Sequence, residues 1–252
     1  MIKANIWKNR RMRQILLLVG GSIVLLWMVI VFLFYKFTVS QHEQSALMRL
    51  AGIANSLALQ CDGDIHEEIF SLYKAKDDIR KNDQDSLYFS FHKLLKSNHE
   101  ANMLKSPIYT IVMNDSSMFY EFGITSDAIP YYRHPYNTYH ATLNLQYKNG
   151  GMIPEYKDEF GMWLSAFAPI KNSHGKTVAV VMVDEKLDIF LSSVRSELLK
   201  AFLLSIVIFG MMVSLLLWQM RKILTREQND KNIIEEANIK ISRINTELSD
   251  AN

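Results

Sequence analysis

Residues 15–34, ILLLVGGSIVLLWMVIVFLF, contain no charged side chain. As a helix such a run rises about 30 Å, the thickness of a bilayer's hydrocarbon core. A second uncharged run, AFLLSIVIFGMMVSLLLWQM, occupies residues 201–220. Together they divide the chain into a basic N-terminus (1–14), a first span (15–35), a polar segment (36–199), a second span (200–220) and a tail (221–252). The polar segment is long enough for one core of ordinary size, and the tail is too short for a second.

Charge gives the expected orientation. Lys3, Lys8, Arg10, Arg11 and Arg13 precede the first run with no acid among them, and Arg221, Lys222 and Arg226 follow the second. The positive-inside rule places both termini in the cytoplasm and 36–199 outside. Residues 36–200 hold 17 basic and 20 acidic side chains, so the overall net charge of +2 conceals a mildly acidic outer segment. Nothing in that balance points to nucleic acid. The first run is too long for the apolar core of a cleaved signal peptide, and no small-x-small site follows it. Trp27 and the aromatic end FLFY at 32–35 suit an anchored span in lipid. A single cysteine, Cys61, cannot form an internal disulfide, so the outer segment must stand on its core; Cys61 itself reads as a small buried apolar residue.

Within the outer segment, Ala46, Leu47, Leu50, Ile53, Ala54, Leu57 and Ala58 recur at helical spacing, which continues the first membrane helix over 38–60. Asp62-Gly63-Asp64 breaks it. Asp64, with Glu67 three residues on, predicts an N-cap and a helix to about Lys74. Leu87, Phe91, Leu94 and Leu95 mark another helix over 84–97. The period then changes. Residues 107–113 (PIYTIVM) and 117–122 read as strands joined through Asn114-Asp115-Ser116. Residues 123–137 read as a loop, 138–146 as a short helix, and Gly150-Gly151 with Pro154 as a second loop. Residues 162–170 and 177–183 form a hairpin around 172–175. The sum is an antiparallel sheet with helices on one side, and 186–200 runs without a break signal into the second span.

The tail has no Gly, Pro, His or Cys. Ile234, Ile241 and Leu248 fall at heptad position a, and Ala237, Ile244 and Ala251 at d, the seam of a paired coil. The pattern stops without a cap, which predicts that the coil continues in a longer parent protein.

The stretch 158–184, DEFGMWLSAFAPIKNSHGKTVAVVMVD, resembles the C-terminal half of the extracytoplasmic PAS-like sensors called Cache domains. The resemblance rests on an aromatic-Gly-x-Trp-x-Ser strand, an Ala-Pro-Ile and Gly turn, and a Val-rich strand ending in Asp. Asp62 to Glu67 (DGDIHE) and Ile108-Tyr109-Thr110 look like the front half of that family, so the likeness covers about residues 40–198. It implies an α+β fold: two transmembrane helices flanking a PAS-like domain, with a long N-terminal helix and a cytoplasmic coil. It further implies a homodimeric receptor of the bacterial inner (plasma) membrane, which binds a small molecule in a cleft over the sheet and signals to a cytoplasmic output domain or partner.

The residue types that could build such a cleft are aromatic walls and a few polar groups. Tyr109, Tyr131, Tyr132 and Trp163 could wall it, with Ser165 beside them. Arg133 could pair with a ligand carboxylate. Asp184 could take a ligand ammonium or cap the helix that follows. Trp163 could equally be core packing, Arg133 a solvated loop residue, and His66 a structural hydrogen-bonder.

Chemistry of other kinds lacks its signatures. The seven histidines form no HExxH or Cys-His zinc pattern, and there is no P-loop, GxSxG or GxGxxG. No catalytic residue, metal or cofactor is expected. No histidine follows His174 and no glycine follows Gly210, so the tail carries neither a phosphoacceptor histidine nor a Gly-rich phosphate cradle. The leading expectation is therefore the sensing and membrane portion of a receptor. The alternative is a complete short membrane-anchored protein that binds a separate cytoplasmic partner through its coil.

Overall fold

The computed structural model describes residues 10–114, 119–138, 140–158 and 161–250. The chain divides into two units: Phe37–Ser196, and the apolar helical segments within Met1–Lys36 and Glu197–Asn252. Lys3 and Lys8, the turn at Asp115-Ser116, the strand start at Ser117, residues 159 and 160 of the DEFGMW stretch, the side chain of Leu248 and all of Ala251 lie outside the described residues.

Helix α1 spans Arg10–Ala58 and helix α5 spans Leu187–Asp250. Two helices are thus long and apolar enough to cross a membrane, and their apolar windows are unburied within the chain. Trp27 of α1 lies against Phe202 and Phe209 of α5, with ring centroids 6.2 and 5.0 Å apart.

In Phe37–Ser196 a six-stranded antiparallel sheet is the frame. Its strands are β1 (Tyr109–Asn114), β2 (Phe119–Thr125), β3 (Pro135–Tyr136), β4 (Gly151–Asp158), β5 (Gly161–Lys171) and β6 (Thr177–Lys186), in the order β3-β2-β1-β6-β5-β4. The first and last strands are therefore neighbours at the centre, and each carries a wing of hairpin partners outward. Strand alternation sorts the side chains. Through the pairs Tyr109↔Met182 and Ser165↔Asp184, the residues Tyr109, Ile111, Ser165, Phe167, Val180, Met182 and Asp184 share one face. Thr110, Ala166, Ala168, Val181 and Val183 take the other.

On that second face lie α2 (Gly63–Leu72) and α3 (Ser86–Ala101). His66 of α2 hydrogen-bonds the Thr110 hydroxyl at 3.0 Å, and His92 of α3 lies 2.7 Å from the Thr125 carbonyl. A β-carbon at Gly123 would collide with the Thr110 hydroxyl, which itself accepts a bond from the Ile124 N–H. On the first face α4 (Ala141–Gln146) and the residue after it supply Leu143 and Tyr147 to a core with Ile111, Phe167, Val180 and Met182. Among the residues read as the α1 face, Leu47, Leu50, Ala54 and Leu57 are buried.

Three sequence expectations are corrected. The loop at Gly150-Gly151 and Pro154 is strand β4: as the sheet's last strand it needs no N–H from Pro154 toward a further neighbour, and Pro154 sits where the β4–β5 register shifts, between Ile153 and Tyr156. The cap of α2 is Asp62, whose carboxylate accepts from the N–H groups of Asp64 and Ile65. Asp64 instead receives the Ser173 N–H and hydroxyl, and Glu67 receives the Asn172 amide. Part of the expected loop 123–137 is also strand: β2 runs on to Thr125, and β3 pairs with it.

Candidate functional site

A cleft of about 410 Å³ opens on the first face of the sheet. Four elements supply its floor. Tyr109 comes from β1, Trp163 from β5, Asp184 from β6 and Asp158 from the end of β4. Phe122 of β2 joins the aromatic wall: its ring lies 5.2 Å from Tyr109, 5.2 Å from Tyr131 and 5.3 Å from Tyr136. The last two contacts are edge-on, the geometry aromatic quadrupoles prefer.

Asp184 is the chemical centre. Its carboxylate is buried and accepts two short bonds, from the Tyr109 hydroxyl at 2.6 Å and from the Ser165 hydroxyl at 2.6 Å. A serine has one proton to give. With that proton on Asp184, the 2.8 Å contact between Tyr156 and Ser165 is donated by Tyr156. The Tyr136 hydroxyl in turn meets His140 Nε2 at 3.2 Å. Burial pushes the Asp184 carboxyl up to about 6, against the lowering effect of the Ser165 and Tyr109 bonds, and nearby Asp158 adds to the rise. Burial also raises the Tyr109, Tyr136 and Tyr156 phenols, with the Asp184 charge adding to each, so all three stay protonated donors at neutral pH. Asp158 accepts the Gly161 N–H at 2.9 Å and the Trp163 indole N–H at 2.8 Å. The left-handed φ of 145° at Gly161 is one a glycine takes without strain.

Of the residues singled out from sequence, Tyr109, Tyr131, Trp163 and Asp184 line this cleft, and Ser165 lies directly behind Asp184. Tyr132 and Arg133 do not line it. The Tyr132 hydroxyl donates to the Tyr73 carbonyl at 3.0 Å, and its ring is fully buried. Arg133 donates to Glu121 at 2.7 Å, to the Phe70 carbonyl at 2.7 Å and to the Tyr73 carbonyl at 2.8 Å, with its guanidinium 4.5 Å above the Phe70 ring. These two residues fasten the loop before β3 to α2.

Phe122, Tyr136, Asp158 and the pair beside Asp184 are not among the residues the sequence singles out. Glu185 forms an ion pair with Arg49 of α1. Lys186 holds its ammonium 5.5 Å from the Trp163 ring, and α5 begins at the next residue. Four consecutive residues thus meet the cleft, α1, the cleft's tryptophan and the start of α5. No short-range sequence pattern reports an ion pair between positions 136 residues apart.

A second hollow of about 590 Å³ lies between α2, the far end of β1 and the β5–β6 turn. Lys148, Lys171 and Lys176 on its rim are exposed, and Lys176 pairs with Glu67 at 3.4 Å. Among the described residues no group of His, Cys, Asp and Glu is arranged to hold a metal ion. Compared with known proteins, the chain matches no family model and no curated sequence.

Proposed function

We propose that Phe37–Ser196 is an extracytoplasmic, PAS-like sensor domain that binds a small molecule in the Asp184 cleft, and that the chain is the sensing and membrane portion of a homodimeric bacterial receptor. The observation that carries the reading is continuity. Asp184 lines the cleft, its neighbour Glu185 grips α1, and the strand that bears them passes into α5 at Leu187. A ligand that alters the Asp184 environment acts on the end of the central strand β6 and, through it, on the only two helices of the chain long enough to span a bilayer among the described residues. The shift extends no further than the ligand's differential affinity for the two states.

Three further features support it. Basic residues at both ends favour a cytoplasmic location for each terminus. The resemblance of 158–184 to Cache domains favours sensing over other uses of an α+β fold. The seam positions Ile234, Ile241 and Ile244 are 61%, 57% and 46% exposed in the single chain, so a second copy along that seam would cover them.

The test uses the full chain in its own membranes. A cysteine at Met103, which is 83% exposed, should react with an impermeant thiol reagent added outside. One at Gln228 should react only after the membrane is opened. Single cysteines at Ile234 and Ile241 should form disulfide dimers, and cysteines at Glu235 should not. Outside labelling of Gln228, or equal cross-linking at Glu235, contradicts the topology or the seam.

A further inference from the structure

We infer that the cleft's ligand is a small organic cation, an amine with an apolar body and no carboxylate of its own. The inference deepens the sensor reading and rests on it. Three features of the cleft carry it, each independent of the others.

The first is charge. Among the described residues the lining holds three carboxylates, Asp127, Asp158 and Asp184, and no Lys, Arg or His. An anionic ligand would find no counter-charge there. Arg133, the guanidinium nearest in sequence, is committed to Glu121 and two backbone carbonyls. Lys186 stands over Trp163 without lining the cleft. An amino acid's carboxylate would therefore be desolvated against acids of its own sign, at a cost its ammonium contact must offset.

The second is the wall. Tyr109, Phe122, Tyr131, Tyr136 and Trp163 line the same cleft as the carboxylates. Aromatic faces attract cations, and most strongly where water is excluded. They also accept an apolar body. At about 410 Å³ the cleft falls in the size range of small-molecule sites, which spans roughly 300–1,000 Å³.

The third is the construction around Asp184. Tyr109 and Ser165 each take one oxygen, on sides set by the β1 and β5 partners. A carboxylate has about four lone-pair directions, so two bonds leave it able to accept an ammonium. Holding a charged carboxylate in a buried site costs free energy, and an arriving cation offsets that cost. Binding therefore couples to protonation. The groups facing Asp184 are Tyr109, Ser165, Tyr156, Tyr136 and Asp158, and His134, stacked on Tyr131, is bonded to Asp77. His140, which meets the Tyr136 hydroxyl, is held below its ordinary value by burial; burial holds the Asp184 carboxyl at about 6, so cation binding at that pH releases a proton from it.

Purified full-length protein in nanodiscs is titrated with phenethylamine, its carboxylate counterpart phenylpropionate, and phenylalanine, which carries both charges. Phenethylamine should bind at least tenfold more tightly than either of the others. At pH 6 its binding should release protons, read as a dependence of the calorimetric heat on the buffer's ionisation enthalpy. Asp184→Asn should weaken it at least tenfold while the melting transition is retained; Asp158→Asn is the second variant should the first misfold. Equal or tighter binding of phenylpropionate overturns the charge class and leaves the sensor reading intact. Binding of none of the three overturns the ligand class, while seam cross-linking still judges the receptor. Unchanged phenethylamine affinity in both variants overturns the site.

Discussion

At the scale of single residues, two buried ionisable groups act on stability in opposite senses. Burial raises the folded Asp184 carboxyl to about 6, above its unfolded value, so the folded state holds that proton more tightly. Its contribution is greatest below the unfolded value near 4 and is lost as pH rises through about 6. Asp184→Asn should therefore stabilise the ligand-free protein at pH 7.5, by up to about 3 kcal/mol, with the gain vanishing near pH 4. Thermal melts across that range check it. Burial holds His66 at about 3, below its unfolded value, partly offset by Glu67. Its contribution is full above pH 6.5 and is lost as pH falls toward 3. His66→Gln should flatten the acid limb over that interval while keeping a group for Thr110 to bond. A third residue acts through space alone: a β-carbon at Gly63 would run into the Lys171 carbonyl, which is backbone and cannot swing aside. Gly63→Ala should cost about 1–3 kcal/mol in chemical denaturation. Aromatic and acidic members of the cleft are legible singly, since Tyr109, Trp163 and Asp184, like Ser165 behind Asp184, sit in strands of evident alternation. Arg133 is not, because its φ of 55° and its bonds to Phe70 and Tyr73 depend on where α2 lies.

At the scale of elements, a helix or strand is legible in the sequence where one periodicity prevails and hidden where tertiary position overrides local rules. Strands β5 and β6 and their hairpin stand out because residues 177–183 are mostly β-branched, and Asn172–Gly175 is a turn by composition. Strand β4 does not, because Gly150, Gly151 and Pro154 are loop signals except at a sheet edge. The α2 cap was displaced by two residues because both Asp62 and Asp64 satisfy the local rule, and only contact with Ser173 tells them apart. Asp62→Ala should therefore destabilise the domain by about 0.5–2 kcal/mol through two orphaned N–H groups. Asp64→Ala should loosen the β5–β6 turn instead, read as faster hydrogen exchange at Ser173 with the α2 amides still protected.

At the scale of the whole molecule, the proposed function runs from the cleft to the long apolar helix α5 through the residues Asp184, Glu185, Lys186 and Leu187. The Arg49–Glu185 pair is where that path meets α1. With Arg49 side chain 48% exposed, the pair adds little to stability, and its importance lies in the position it fixes. Reversing one charge replaces attraction with repulsion, and reversing both restores attraction with the partners exchanged. The most direct measurement is disulfide formation between single cysteines at Ile234, Ala237, Ile241 and Ile244, in a Cys61→Ala background, in native membranes. It is made for four forms of the chain: unchanged, Arg49→Glu, Glu185→Arg, and the two together. If the outer domain governs the coil, each single reversal redistributes the cross-linking among the four positions and the double reversal returns it to the original profile. Identical profiles in all four forms would contradict the proposed function, for the domain that holds the cleft would then have no hold on the C-terminal part of α5.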